Sequence, residues 1–258
     1  MNSASLILIA LLGAIVGSFI NALSFRFHTG NSIILGRSKC MRCGHILAAY
    51  DLIPIISYLI LRGRCRYCRA HISLQYPLVE GIATFLAVGI YTITYTEPLL
   101  FAYWFVVWMI LLFISIYDMR HAIIPSVCSV ILAVLALSHA AFFSVSLTAI
   151  LAGPLLALPL FLLSLISKGT WMGWGDSALE LSLGWLLGIW PGLTALLFGF
   201  WIGAGIGVIL LFASHRWNRM HSRFTMKSEI PFAPFLILGV AIVYFFHVNI
   251  FSSIPSIL

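Results

Sequence analysis

Charge is scarce in this chain of 258 residues: Asp, Glu, Lys and Arg make up 8% of it, and the acids number only seven. A soluble domain carries roughly a quarter charged residues, so the deficit excludes water as the main solvent. Cysteine is scarce too. Five cysteines are too few for a disulfide scaffold of this length. Four of them fall into two Cys-x-x-Cys pairs, a pattern of metal binding in a reducing compartment. No Lys or Arg precedes the first apolar stretch, near 6–23, whereas Arg26 follows it. A secretory signal peptide has the opposite polarity. The stretch therefore reads as a retained helix with its N-terminus outside. Low-complexity linkers and internal repeats are also missing.

What is abundant is hydrophobicity, at 62% of residues. Further apolar stretches lie near 78–95, 99–117, 123–143, 147–166, 178–190, 193–213 and 231–250. Each except 178–190 is expected to cross a hydrocarbon core of roughly 30 Å as a helix. That one stops at Pro191-Gly192 and is expected to be tilted or re-entrant. The fold class is an all-α polytopic membrane protein of about eight transmembrane helices, with six or seven full crossings as the alternatives. Three parts are expected: a first helix over 1–25, a cytoplasmic metal-binding segment over 26–77, and a multi-helix membrane domain over 78–258.

Orientation can be tested against every basic residue. With the N-terminus outside, the inner segments are about 24–77, 118–122, 167–177 and 214–230. They hold eight, one, one and four Lys or Arg, the whole complement of 14. The net charge of +7 thus reflects the positive-inside rule rather than nucleic acid. The basic cluster from Arg216 to Lys227 is expected to touch anionic lipid headgroups.

Cys40-Met-Arg-Cys43 and Cys65-Arg-Tyr-Cys68 are separated by 21 residues. Two knuckles that each supply two thiolates suit a closed, tetrahedral, structural zinc site, with unmetallated thiols or a redox pair as the alternative. Between the pairs, the apolar run from Asp51 to Leu61 is suited to packing on the membrane surface, and Asp51 before Pro54 resembles a helix start.

Ionisable groups at membrane depth are costly and draw attention to Glu80, Asp118, Asp176, Glu180 and Glu229. Asp118 ends the third apolar stretch and Asp176 opens the sixth, so both emerge on the same inner face. Asp176 closes Gly173-Trp-Gly175-Asp176, whose glycines let the backbone bend and approach a substrate closely. Two nearby carboxyls can share a proton, one activating water while the other protonates a scissile carbonyl. The alternative is that both aspartates cap helices. Glu180, one turn after Asp176, shares its face and can act on that aspartate, bind a basic substrate, or sit solvated at the surface. Gly199, Gly203 and Gly207 recur at four-residue spacing, as close helix packing requires. Cys128, His139 and His247 fall in apolar spans and read as packing residues.

Together these residues resemble the bacterial type IV prepilin peptidase family, the GxGD aspartyl leader peptidases of pili and type II secretion. The resemblance runs through Gly17-Ser-Phe-Ile-Asn21 with Arg26, both cysteine pairs, Ile72 to Glu80, and Asp118 before Ile124-Pro125. It continues through Gly173 to Asp176 and Lys227 to Phe235. It implies an inner-membrane enzyme that cuts a prepilin after a glycine at the cytoplasmic face, with Asp118 and Asp176 catalytic. The cysteine hairpin implies N-methylation of the new terminus from S-adenosylmethionine as well. Gly17, Asn21, Gly173, Gly175, Lys227 and Pro231 are expected to line the site, and Glu80, Glu180 or Glu229 to meet the basic leader. Two departures stand out: His28 where the family usually has Pro, and Ala178 where many members have Lys. A competing class is a secondary transporter carrying protons or cations on membrane-edge carboxylates; another is a metal-ribbon scaffold without chemistry.

Overall fold

The computed structural model describes residues 2–27, 36–142, 146–216 and 231–251, with only the backbone for 213–216. Lys227, Glu229 and the basic cluster beyond Arg216 lie outside the described residues. The helices are α1 (Ser3–Arg26), a 3₁₀ turn (Ala49–Leu52), α2 (Ile56–Ile60), α3 (Gln75–Thr94) and α4 (Pro98–His121). They continue as α5 (Ser126–Phe142), α6 (Leu147–Ile166), α7 (Trp174–Leu187), α8 (Ile189–Arg216) and α9 (Ala233–Phe246). The only β pairing among the described residues is two isolated bridges. The all-α expectation holds.

By length and composition, α1, α3, α4, α6 and α8 can cross a membrane. α5 has 17 residues and runs up to the undescribed residues 143–145. The expectation of crossing length fails for α9, whose 14 residues, at about 1.5 Å each, fall short of a hydrocarbon core of roughly 30 Å. α9 ends because His247 takes a left-handed φ of 51°; His247 is thus an exposed terminator rather than a packing residue. The break after α7 also differs from expectation. It falls at Gly188, φ 81°, and Pro191 lies in the first turn of α8, where a missing N–H costs nothing.

The chain divides into two compact units, residues 1–113 and 114–258. In the first, α1 lies against α3 through small residues. A Cβ on Gly17 would stand 2.8 Å from the Glu80 Cα and 2.9 Å from the Ala83 Cβ, and Gly13 meets Ala87 in the same way. Asn21, 1% exposed, donates from Nδ2 to the Tyr76 carbonyl at 3.1 Å. Phe25 stacks on Tyr76 at 5.6 Å between centroids. The Gly17–Asn21 motif is therefore a helix-packing device. It brings backbones close where lipid provides no hydrophobic drive to association.

In the second unit, α7 packs against α5 and α6, and α9 against α8. Gly153 of α6 faces Gly184 of α7, where a Cβ on Gly184 would come 2.8 Å from the Gly153 Cα. Pro154 has no N–H, which frees the Ile150 carbonyl inside α6. The Trp185 Nε1–H of α7 donates to that carbonyl at 2.8 Å. Gly199 and Gly203 of α8 meet Leu236 and Phe235 of α9, as their spacing predicts.

Replacing Gly17 with Leu should force α1 and α3 apart and destabilise the protein by about 1–3 kcal/mol. The measurement is the unfolding midpoint in detergent; an unchanged midpoint would show that these helices do not touch.

Candidate functional site

The carboxyls at the C-terminal end of α4 and the N-terminal end of α7 form the first cluster. α4 stops where Ala122 turns left-handed, φ 51°, its N–H donating to the Asp118 carbonyl at 2.8 Å. Ile124-Pro125 then leads into α5. Gly175, in the first turn of α7, packs on this connection: a Cβ there would lie 2.9 Å from the Ile124 Cβ. The second glycine of Gly173-Trp-Gly-Asp176 thus lets the start of α7 close on the turn that follows Asp118. The first glycine has another task. The Gly173 N–H donates to Asp176 Oδ2 at 3.2 Å, with the oxygen 3.3 Å from where a Cβ would stand.

Asp118 and Asp176 are 4% and 9% exposed, and their carboxyls are within electrostatic reach of each other. The structure brings together two acids that stand 58 residues apart. Asp118 Oδ2 accepts the Ala233 N–H at 3.2 Å. Ala233 is the first residue of α9, with Pro234 beside it, so a helix N-terminus with its partial positive charge faces this carboxyl. Pro231 lies two residues before that helix. The chain around Pro231–Pro234 therefore reaches the Asp118 carboxyl through Ala233, a residue that sequence reasoning did not single out. Glu180 is 1% exposed, so surface solvation is overturned by its burial in α7.

The cysteine hairpin forms the second cluster. Its two knuckles fold alike. The Cys40 N–H donates to the His45 carbonyl at 2.9 Å, and the Gly44 N–H to the Cys40 carbonyl at 2.9 Å. The Cys65 N–H donates to Ala70 at 2.8 Å, and Arg69 to Cys65 at 3.0 Å. Gly44 and Arg69, four residues after each leading cysteine, both take left-handed φ, 71° and 58°. Bridges Lys39–Ile46 and Arg64–His71 close each knuckle at equivalent positions. In the sequence the duplication shows only in the cysteines and in the basic residues before them, Arg37 and Lys39 against Arg62 and Arg64.

All four Sγ atoms lie within 4.8 Å of one another. Tetrahedral zinc with Zn–S bonds of about 2.3 Å requires sulfur–sulfur edges of roughly 3.8 Å. Cys40 and Cys68 stand 3.8 Å apart. The Cys40 thiol is lowered to about 6, chiefly because the backbone N–H groups of Cys43 and Arg42 point at its sulfur.

Asp51 does not start a helix. It lies within the 3₁₀ turn, and α2 has no side-chain cap. Its carboxylate accepts from Arg66 Nε at 2.8 Å and from the Tyr67 hydroxyl at 3.3 Å, so a charged partner in the second knuckle outcompetes local capping. His45 lies against the Tyr67 ring in a tilted arrangement, centroids 3.7 Å apart.

Glu80 links this hairpin to the helices. It is 6% exposed and accepts the Ile55 N–H at Oε2, 2.7 Å away, with the Ser18 side chain as a further partner. Ile55 has φ 62° and ψ −51°, a conformation that a β-branched residue adopts only when its surroundings enforce it. Glu80 supplies that enforcement. Neither Glu80 nor Glu180 presents an exposed carboxylate to a leader.

The fold and these clusters define a polytopic helical membrane protein with buried aspartates at adjoining helix ends and a tetracysteine hairpin. Residues 11–94 match the Bacterial Peptidase A24 N-terminal domain. The chain is 33% identical to the prepilin leader peptidase/N-methyltransferase of Myxococcus xanthus, over 80% of this chain and 63% of that protein. Relatives of the same name from Burkholderia pseudomallei (strain K96243) and Bacillus subtilis (strain 168) are each 30% identical. They are covered over 83% and 94% of their lengths, and cover 91% and 93% of this chain. The chain belongs to the prepilin leader peptidase/N-methyltransferase family. No solved structure matches it.

Replacing Glu80 with Ala should release the Ile55 turn, whereas Gln, which keeps an acceptor, should largely hold it. Limited proteolysis of residues 53–69 is the measurement. Equal protection in the Ala variant would show that Glu80 does not hold the hairpin.

Proposed function

We propose that this chain is a prepilin-type leader endopeptidase of the bacterial inner membrane, working with Asp118 and Asp176. The observation that carries the reading is the burial of both carboxyls at adjoining ends of α4 and α7, within electrostatic reach of each other. One carboxylate takes a proton from water while its protonated neighbour donates to the scissile carbonyl oxygen. The two roles are assigned to the dyad as a whole rather than to either residue. The Ala233 and Gly173 N–H groups orient the carboxyls, and Gly175 sets the approach of α7 to the Ile124 turn. The substrate is the apolar helix of a pilin or pseudopilin precursor, entering from the bilayer. The distribution of all 14 basic residues supports an external N-terminus and a cytoplasmic dyad. It also supports a division into a first helix (1–25), a cytoplasmic hairpin (26–77) and a membrane peptidase domain (78–258).

Cys40, Cys43, Cys65 and Cys68 would hold a structural zinc ion, which fixes the two knuckles to each other. The relatives' name joins the peptidase to an N-methyltransferase, and the second activity is proposed here too, with S-adenosylmethionine as methyl donor. The arginine-lined cavity of the hairpin has the wrong charge for a sulfonium, and no described residue is assigned to the donor. The comparisons lend no support to a transporter.

Asp118→Asn and Asp176→Asn each keep an oxygen for the N–H that meets it, so both proteins should insert and fold. Each should lose leader cleavage by at least a thousandfold, as removal of one member of a catalytic unit does. Mass spectrometry of a purified prepilin reports the cleavage; near-normal turnover in either variant rejects the dyad. Purified protein should carry one equivalent of zinc, lost in Cys65→Ser. Protons compete with the ion for the four thiolates. Zinc, followed by elemental analysis, should therefore be lost on strong acidification and on treatment with a chelator. Purified protein that never carries zinc would contradict the site.

A further inference from the structure

The hairpin carries far more positive charge than its own fold uses. Between Gly36 and Leu74 there are seven Lys and Arg against one acid, Asp51. A tetrathiolate holding a divalent ion adds a charge of minus two and still leaves this segment formally at plus four. The excess is not spread evenly. Arg62, Arg64, Arg66 and Arg69 together line one cavity of about 670 Å³, with Ile60 and Leu61 at its apolar edge. Arg66 is paired with Asp51 at 2.8 Å and lies over the Tyr50 ring, 4.9 Å from its centroid. For Arg62, Arg64 and Arg69, no carboxylate lies within ion-pair distance among the described residues. Three like charges around one cavity repel each other and lower the energy of any anion placed among them.

The depth of this cavity follows from the Glu80 contact. Glu80 is the sixth residue of α3, a helix long and apolar enough to span. It lies about 8 Å along the helix axis from the first residue. The Ile55 N–H bonds to it, so the chain enters α2 at the level of the membrane interface. There it exposes Ile53, Ile56, Leu59 and Ile60, the last two by 67% and 70%. Apolar side chains exposed at that depth meet acyl chains, and the arginines that follow immediately in sequence fall at the level of lipid phosphates. Guanidinium groups bind phosphate oxygens in bidentate pairs.

We propose that the cavity lined by Arg62, Arg64, Arg66 and Arg69 binds the phosphate of an anionic phospholipid, whose chains lie along the apolar collar from Ile53 to Ile60. A free phosphate ion would use the arginines alone. The collar commits the site to a lipid, which docks the hairpin on the bilayer beside α1 and α3.

The full-length protein in nanodiscs of phosphatidylcholine, with or without phosphatidylglycerol, provides the test. Phosphatidylglycerol should slow hydrogen exchange severalfold across residues 56–70. The triple variant R62Q/R64Q/R69Q, which keeps the Arg66–Asp51 pair, should show no such protection. Its affinity for phosphatidylglycerol should fall roughly a hundredfold, at about fivefold per guanidinium. Zinc content unchanged from wild type shows that its knuckles are folded; if zinc is lost, the single variant R64Q replaces it, with a fivefold loss expected. Ile56→Ser with Ile60→Ser should weaken the lipid and leave any binding of inorganic phosphate unaltered. Equal protection in both nanodiscs, an unaffected arginine variant, or displacement of the lipid by inorganic phosphate at equal concentration would each overturn the proposal.

Discussion

A carboxyl group buried near a membrane needs a donor, and the folded chain meets that need in the same way three times. Glu80, Asp118 and Asp176 each accept a backbone N–H, from Ile55, Ala233 and Gly173 respectively. Each N–H comes from a place where regular helix hydrogen bonding is interrupted: a left-handed turn, the first residue of α9, and the residue before α7. Such N–H groups lack an intrahelical acceptor, and an unsatisfied polar group of either kind is expensive away from water. The acid and the helix end therefore satisfy one another. This pairing sets where α9 starts relative to α4, how α7 begins, and how the cysteine hairpin meets α3.

Glycine provides the other half of the arrangement. Gly17, Gly153, Gly175 and Gly184 each stand where a Cβ would collide with a neighbouring element. At Gly175 the neighbour is Ile124, and the result is that the start of α7, with Asp176, closes on the turn that follows Asp118. The chemistry proposed for the dyad thus rests on an absent methyl group as much as on the carboxylates.

Much of this was legible in the sequence. The parity of apolar stretches put Asp118 and Asp176 on one face, and the two cysteine pairs announced a cluster whose sulfurs do gather. The spacing of Gly199 and Gly203 indicated close packing, found against α9. Other features were not legible because they depend on partners far away in the chain. Nothing local to Asp51 shows that Arg66 and Tyr67 will claim its carboxylate rather than a helix N-terminus. Nothing local to Glu80 shows that it faces Ile55, and its role in the hairpin follows from the fold alone. Hydrophobic runs also overstate helix length. They continue past His247, where the backbone turns left-handed while the side chains remain apolar.

The first of the two prolines inside α6 has a mechanical meaning for the aspartate on α7. Pro154 leaves the Ile150 carbonyl without its helical donor, and the Trp185 indole fills the vacancy, beside the glycine-to-glycine seam of Gly153 and Gly184. Sliding α7 along α6 would break that bond and leave the carbonyl without its donor. The two helices are consequently pinned in register. In the proposed mechanism, a motion that carries Asp176 toward a peptide bond would swing α6 and α7 as one lever instead of shifting one past the other.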